Sequence, residues 1–75
     1  MEIIHKNIHF LREKRGWTQT QLAEKIGVSK SMIGAYEEFR SVPLLVVTKK
    51  LALVFDVSLD EFVRDDLSKK TLTIK

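Results

Sequence analysis

Two histidines of this sequence have a spacing that could serve metal binding. His5 and His9 are four residues apart in a segment with helical periodicity, which would place both imidazoles on one face of a helix. A zinc site needs three or four protein ligands, and the sequence has no cysteine and no other histidine. We therefore interpret both residues as surface histidines and predict no metal site.

Four carboxylates near the C-terminus form the other group with possible chemistry: Asp60, Glu61, Asp65 and Asp66. Paired carboxylates can act as acid and base, but acidic residues in the first turn of a helix are also ordinary capping charges. The sequence has no phosphate-binding glycine loop, no Gly-x-Ser-x-Gly and no His-Glu-x-x-His. We expect a protein that is not an enzyme and that uses no cofactor and no small-molecule ligand.

The distribution of charge is more informative than the net charge of +3. Residues 1–54 contain nine basic and five acidic residues, whereas residues 55–66 contain one basic and five acidic residues. The N-terminal part is therefore the better candidate for contact with a polyanion such as nucleic acid.

The longest apolar runs, residues 44–47 and 51–55, are far shorter than the roughly 20 residues that span a bilayer. The N-terminus also lacks the layout of a secretory signal. Without cysteine there are no disulfides, which fits a reducing compartment. We expect a cytoplasmic protein with no membrane contact.

Apolar residues recur at intervals of three and four, which predicts helices along most of the chain. Five are expected, at about 4–15, 18–26, 30–38, from Pro43 to 55, and 59–66. Arg15 would share the inner face of the first helix, and Leu44 would begin the inner stripe of the fourth. Thr18, Ser29 and Ser58 are the predicted N-caps.

The stretch from Gln19 to Glu38 has two predicted helices joined by a three-residue turn. Gly27 supplies the positive φ that reverses the chain, and the small side chain of Ala23 lets the helices cross closely. This arrangement is that of a helix-turn-helix.

Over roughly residues 4–63 the sequence resembles the lambda-repressor-like (XRE/Cro) helix-turn-helix family. The resemblance extends beyond the motif to Arg12, Glu37, Pro43 and the Val-Ser-Leu-Asp-Glu segment at 57–61. It implies an all-α fold, a five-helix lambda-repressor-like DNA-binding domain at residues 1–66 followed by a short C-terminal tail at 67–75. It also implies a partly buried ion pair between Arg12 and Glu37.

In this family the third helix lies in the major groove of DNA and the second meets the backbone with its N-terminus. The resemblance therefore implies that four residues contact bases: Lys30, Ser31, Gly34 and Ala35. It implies that three residues contact phosphates: Thr18, Gln19 and Arg40. Because Gly34 and Ala35 carry no polar side-chain atoms, we expect DNA shape to supply part of the specificity.

The segment Glu37-Glu38-Phe39 departs from the Glu-x-Gly with which the family usually ends this helix. A phenylalanine takes the left-handed conformation of a glycine cap at a cost of about 1–2 kcal/mol. We therefore expect a different loop geometry. We also expect the Glu38 carboxylate to repel a phosphate at this position.

Apolar residues outside the predicted core favour a homodimer. Val46 and Leu53 lie on the outer face of the fourth predicted helix, and Phe39 lies in the loop before it. Leu59 lies near the position where the family commonly dimerises. The Thr-Leu-Thr-Ile segment at 71–74 alternates like an edge strand that could pair with a second chain, although a frayed end fits equally well.

Taken together, these features predict a sequence-specific double-stranded DNA-binding transcriptional regulator that acts as a repressor and as a homodimer. The alternative is a helical protein-interaction or oligomerisation module with little sequence-specific DNA affinity. Lys30 and Ser31 favour the first interpretation, whereas the apolar group of Phe39, Val46 and Leu53 favours the second.

Overall fold

A computed structural model describes residues 2–70 of the chain, and within them the backbone forms six helices. They are α1 (Glu2–Lys14), α2 (Gln19–Ile26), α3 (Lys30–Glu37), α4 (Leu45–Phe55), α5 (Leu59–Arg64) and α6 (Leu67–Lys70). The predicted all-α class is confirmed, with one short helix more than expected. None of these helices is long and apolar enough to cross a bilayer. The possible edge strand at 71–74 lies outside the described residues.

Local hydrogen bonds begin and end α2 and α3 where the sequence predicts. Thr18 Oγ1 accepts from the Gln21 amide at 3.0 Å, and Gln21 Oε1 accepts from the Thr18 amide at 2.8 Å, which completes the capping box. The Ser29 hydroxyl caps the first turn of α3. Gly27 ends α2 with a φ of 77°, in the left-handed region that glycine adopts without strain. These caps set the turn that orients α3 against α2.

A single hydrophobic core joins the helices. Its largest fully buried apolar side chains are Ile8, Leu22, Ile33, Leu51, Phe55 and Phe62. Two predictions about this core are wrong. Leu44 is 74% exposed, because it is the N-cap of α4 and lies before the helical stripe begins. Arg15 is also exposed and donates from Nη2 to the Phe55 carbonyl at 2.8 Å instead of packing inside.

A buried asparagine ties α1 to the C-terminal helices. Asn7 is fully buried, and its Nδ2 donates to the carbonyls of Phe62 at 2.8 Å and Asp65 at 2.7 Å. Its Oδ1 accepts from the Leu67 amide at 3.0 Å. Leu67 is itself in the core at 5% exposure, so residues 67–70 pack with the domain as α6 rather than as part of a tail that begins at 67. The remaining tail residues, 71–75, are outside the described part of the chain.

The loop between α3 and α4 differs from expectation at Phe39. Its φ is 59°, so the phenylalanine takes the left-handed conformation that we expected it to avoid. The Arg40 amide then donates to the Ala35 carbonyl at 2.9 Å, as in a helix end closed by glycine. The Phe39 ring stacks on His5 with centroids 4.8 Å apart, and this contact offsets part of the backbone strain.

Candidate nucleic-acid interface

The first turn of α3 presents Lys30 and Ser31 to solvent, and both side chains are exposed. Met32 is 37% exposed beside them, which the sequence did not indicate because its apolar side chain fits a core position equally well. The Ser29 hydroxyl caps this turn by accepting from the Met32 amide at 3.1 Å, so the exposed side chains project from a hydrogen-bonded helix start. One ammonium, one hydroxyl and one thioether are thus available to a ligand at this end of α3.

The predicted outward position of Ala35 is wrong. Ala35 is 8% exposed and belongs to the buried apolar residues, so we do not expect it to contact a base. Gly34 is half-buried, and a Cβ added there would lie 3.7 Å from Gln19 Oε1, in ordinary van der Waals contact. The middle of α3 therefore packs against α2, and only the N-terminal end of α3 is open to a groove.

The N-terminus of α2 has two side chains already engaged. The hydroxyl of Thr18 is occupied as the N-cap of α2. Gln19 donates from Nε2 to Glu37 Oε1 at 3.2 Å, which holds the amide against α3. There is no acidic residue in the first turn of α2, so the positive end of its helix dipole is not neutralised locally. This end suits an anion bound by backbone amides.

Glu37, at the C-terminal end of α3, is the centre of a polar network. Arg12 donates to it twice, from Nε to Oε2 at 2.6 Å and from Nη2 to Oε1 at 3.1 Å. Gln19 and His9 also reach Oε1, with the His9 Nδ1 at 3.0 Å. One carboxylate therefore links α1 and α2 to α3. Of the residues that contact it, the family resemblance indicates only Arg12.

These hydrogen-bond partners stabilise the ionised form of the Glu37 carboxylate. Burial alone would raise the pKa of Glu37, but hydrogen bonds from Arg12, His9 and Gln19 outweigh it and lower the pKa below 4.5. The same hydrogen bond to Glu37 raises the pKa of Arg12. The side chains of Arg12 and Glu37 are 11% and 5% exposed, so the pair is shielded from most, but not all, of the solvent and salt. We assign it the positioning role that the resemblance implies.

The chain combines a capped α2, a turn at Gly27 and an α3 whose N-terminal end is exposed. A family model described as helix-turn-helix matches residues 8–62. The chain belongs to the lambda-repressor-like helix-turn-helix family.

Several curated proteins named as regulators resemble this helix-turn-helix chain. It is 40% identical over 53 residues to the HTH-type transcriptional regulator SutR of Escherichia coli strain K12. The matched region covers 71% of the chain and 30% of SutR. It is 33% identical over 61 residues to the HTH-type transcriptional regulator AnsR of Bacillus subtilis strain 168, covering 81% of the chain and 53% of AnsR. It is 37% identical over 60 residues to an HTH-type transcriptional regulator of Archaeoglobus fulgidus, covering 79% of the chain and 86% of that protein. The chain thus spans about half of AnsR and less than a third of SutR.

Arg40 follows α3 in the helix-turn-helix domain and is exposed. Its Nε donates to Glu38 Oε1 at 2.8 Å, so the two side chains that we expected to act oppositely on a phosphate neutralise each other. Both are about 60% exposed, and a surface pair of this kind contributes little energy. Arg40 can therefore exchange the carboxylate for a phosphate at small cost.

The four predicted dimer residues fall into two groups. Phe39 is stacked on His5, and Leu59 is half-buried against the domain's own core, so both are partly engaged within the chain. Val46 and Leu53 are exposed, as expected. Three further exposed apolar residues, in the loop before α4 and at its first position, were not predicted to be exposed: Val42, Leu44 and Leu45. Most of the exposed large apolar residues among those described therefore lie on α4 and in the loop that precedes it.

Among the described residues there is no group of three or more histidine, cysteine, aspartate and glutamate side chains that could hold a metal ion. His9 places Nδ1 at 3.0 Å from Glu37 and Nε2 at 3.2 Å from Glu13. His9 thus takes part in the Glu37 network, a role that its position three residues before Arg12 on the same helix could have indicated.

Proposed function

We propose that this chain is a sequence-specific double-stranded DNA-binding transcriptional regulator. The observation that carries the proposal is the solvent-exposed N-terminal end of α3, with Lys30 and Ser31 held by the Ser29 cap beside the positive end of the α2 dipole, whose first turn has no acidic residue. Lysine donates to the O6 and N7 atoms of guanine in the major groove, and serine can donate or accept at several base edges. The match to the helix-turn-helix family supports this placement.

Two phosphate contacts, which involve Thr18, Gln19 and Arg40, are part of the proposal. The amides at the N-terminus of α2, next to Thr18 and Gln19, bind a phosphate through the helix dipole. Arg40 binds a second phosphate after leaving Glu38. These contacts position α3 but carry no sequence information, because every base pair presents the same phosphates.

The regulatory role goes further than the contacts. We propose a cytoplasmic repressor that acts as a homodimer and has no enzymatic activity. The named relatives are transcriptional regulators, which supports the regulatory part. A pair of domains would place two recognition helices about 34 Å apart, one turn of duplex.

The test is selection of bound fragments from a random duplex library, followed by affinity measurements on the selected site and on random DNA. Lys30→Ala and Ser31→Ala should each weaken binding to the selected site by roughly 1–3 kcal/mol and to random DNA far less. The Gln19 side chain is proposed to add a contact to the same phosphate, so Gln19→Ala should weaken binding to both DNAs alike. Lys69→Ala, an exposed lysine on α6, serves as the matched control and should change neither affinity appreciably.

Equal losses on both DNAs would make Lys30 and Ser31 backbone contacts. Failure to select any sequence would favour the second candidate, a helical protein-interaction module. That candidate draws its support from the exposed apolar residues of α4, above all Leu53 at 80% exposure. A reporter gene with the selected site in its promoter tests repression directly.

A further inference from the structure

The exposed side chains of α3 are confined to its first turn. Within residues 30–37, Lys30, Ser31 and Met32 are exposed, whereas every later residue is buried or half-buried. Met32 is 37% exposed and is the only exposed apolar side chain of this range. Its amide donates to the Ser29 hydroxyl at 3.1 Å, so the residue belongs to the hydrogen-bonded start of the helix.

Met32 lies on the flank of α3 that faces away from α2. A helix turns by about 100° per residue, so residues 30 and 34 share one flank, and residue 32 lies on the other side of Ser31. The flank of residues 30 and 34 faces α2, because a Cβ added at Gly34 would lie 3.7 Å from Gln19 Oε1. A groove that receives this turn therefore meets the Lys30 ammonium on one side and the Met32 thioether on the other.

A thioether side chain suits an apolar contact better than a hydrogen bond. Methionine is flexible and polarisable, and its sulfur is only a weak acceptor. The apolar group that bases present in the major groove is the C5-methyl of thymine, which 5-methylcytosine also carries. We infer that Met32 is a specificity-determining residue that contacts the C5-methyl group of a pyrimidine. This inference rests on the proposed function and adds a direct apolar contact to it.

The other apolar residues near α3 are not placed for this contact. Ala35, which the family resemblance implied as a base contact, is 8% exposed. Phe39 and Val42 are exposed but lie in the loop after α3, and the Phe39 ring is stacked on His5. Because the other exposed side chains of the first turn are polar, apolar selection falls to Met32. A selected site should therefore carry a C5-methyl pyrimidine near the guanine that Lys30 contacts.

Replacement of thymine by uracil tests the contact, because uracil lacks only the C5-methyl group. Each thymine of the selected duplex is replaced in turn by deoxyuridine, and Kd is measured at one fixed salt concentration. At one thymine or more, the unchanged chain should bind the uracil duplex about fourfold more weakly, the loss expected for one buried methyl-sized group. Met32→Ala should bind the thymine and uracil duplexes equally, whereas Met32→Leu keeps an apolar side chain and should retain most of the difference.

Cytosine and 5-methylcytosine at the same position distinguish the two sources of the methyl group. Tighter binding of the 5-methylcytosine duplex than of the cytosine duplex, again lost in Met32→Ala, would show that the methyl group is read on either base. A difference between thymine and uracil alone would assign the contact to thymine.

Two controls separate the inference from loss of fold and from the DNA proposal. Leu45→Ala removes an exposed apolar side chain from α4 and should keep the difference between thymine and uracil. Helical circular dichroism should be the same for all variants. A selected site at which no uracil weakens binding, or a loss that Met32→Ala shares in full, would overturn the inference and leave the DNA proposal standing. Failure to select any sequence would refute the proposed function and the inference with it.

Discussion

The ion pair between Arg12 and Glu37 should contribute a large coupling energy to the stability of the domain. The two side chains share hydrogen bonds of 2.6 and 3.1 Å, and they are 11% and 5% exposed. Charge-assisted bonds are worth about 1.5–3 kcal/mol each, and contacting pairs show couplings of about 0.5–3 kcal/mol. Because one edge of the pair is open to water, we expect a coupling of about 2 kcal/mol.

Single replacements should cost more than the coupling itself. Glu37→Ala leaves Arg12 without its carboxylate and also releases Gln19 and His9, so we expect a loss of about 3–4 kcal/mol. Arg12→Ala leaves a nearly buried carboxylate and removes the 2.7 Å bond to the Trp17 carbonyl, with a similar expected loss. A domain of this size has a total free energy of unfolding of only about 4–11 kcal/mol, so either loss is readily measured.

Urea denaturation of the four proteins of the double-mutant cycle, followed by far-ultraviolet circular dichroism at pH 7, measures the coupling. The double variant should lose much less stability than the sum of the single losses. Glu24→Ala, an exposed glutamate on α2, is the matched control and should change the free energy of unfolding by less than about 0.5 kcal/mol. Losses that add within about 0.5 kcal/mol would show that the two side chains do not interact and would refute the reasoning.

Three further predictions concern the rest of the fold. The pKa of Glu37 is lower in the folded chain than its ordinary value of 4.5, so ionised Glu37 stabilises the folded state at pH values above 4.5. This stabilisation should be lost as the pH falls through the folded-state pKa. In Glu37→Gln the unfolding free energy should depend less steeply on pH below 4.5. Asn7→Ala removes three buried hydrogen bonds and should cost about 3 kcal/mol in urea denaturation, against a negligible change for the exposed neighbour Lys6→Ala. Phe39→Gly relieves the backbone strain of a φ of 59° but removes the stack on His5. The free energy of unfolding from thermal denaturation should therefore change by no more than about 1 kcal/mol. A large loss of stability would mean that the stack outweighs the strain.

Much of the candidate interface follows from the sequence because its determinants are local. The hydroxyls of Thr18 and Ser29 cap helices that begin one residue later, and Gly27 ends α2 without reference to the rest of the chain. The exposure of Lys30 and Ser31 follows from the helical position of Ile33 in the core. The contact of Arg12 with Glu37 was expected from the family resemblance rather than from spacing, since the two residues are 25 positions apart.

Other features depend on contacts between elements that are distant in sequence. Ala35 is small and apolar, so helical periodicity alone cannot decide whether it faces a groove or the core, and packing in the folded chain buries it. The left-handed backbone of Phe39 is supported by a stack on the ring of His5, a residue more than thirty positions earlier in the chain.

By itself the sequence predicted the all-α class and the caps and turn of α2 and α3, and the family resemblance predicts that α3 is the helix that meets DNA. Only the tertiary structure decided how the C-terminal part closes on α1. Asn7 is a polar residue on the inner face of α1, three residues after Ile4 and four before Leu11. It is buried there because it accepts from the Leu67 amide and donates to the carbonyls of Phe62 and Asp65. The physical reason is that a buried amide is stable only when every polar atom finds a partner. Those partners lie 55 to 60 residues away, beyond the reach of any local pattern.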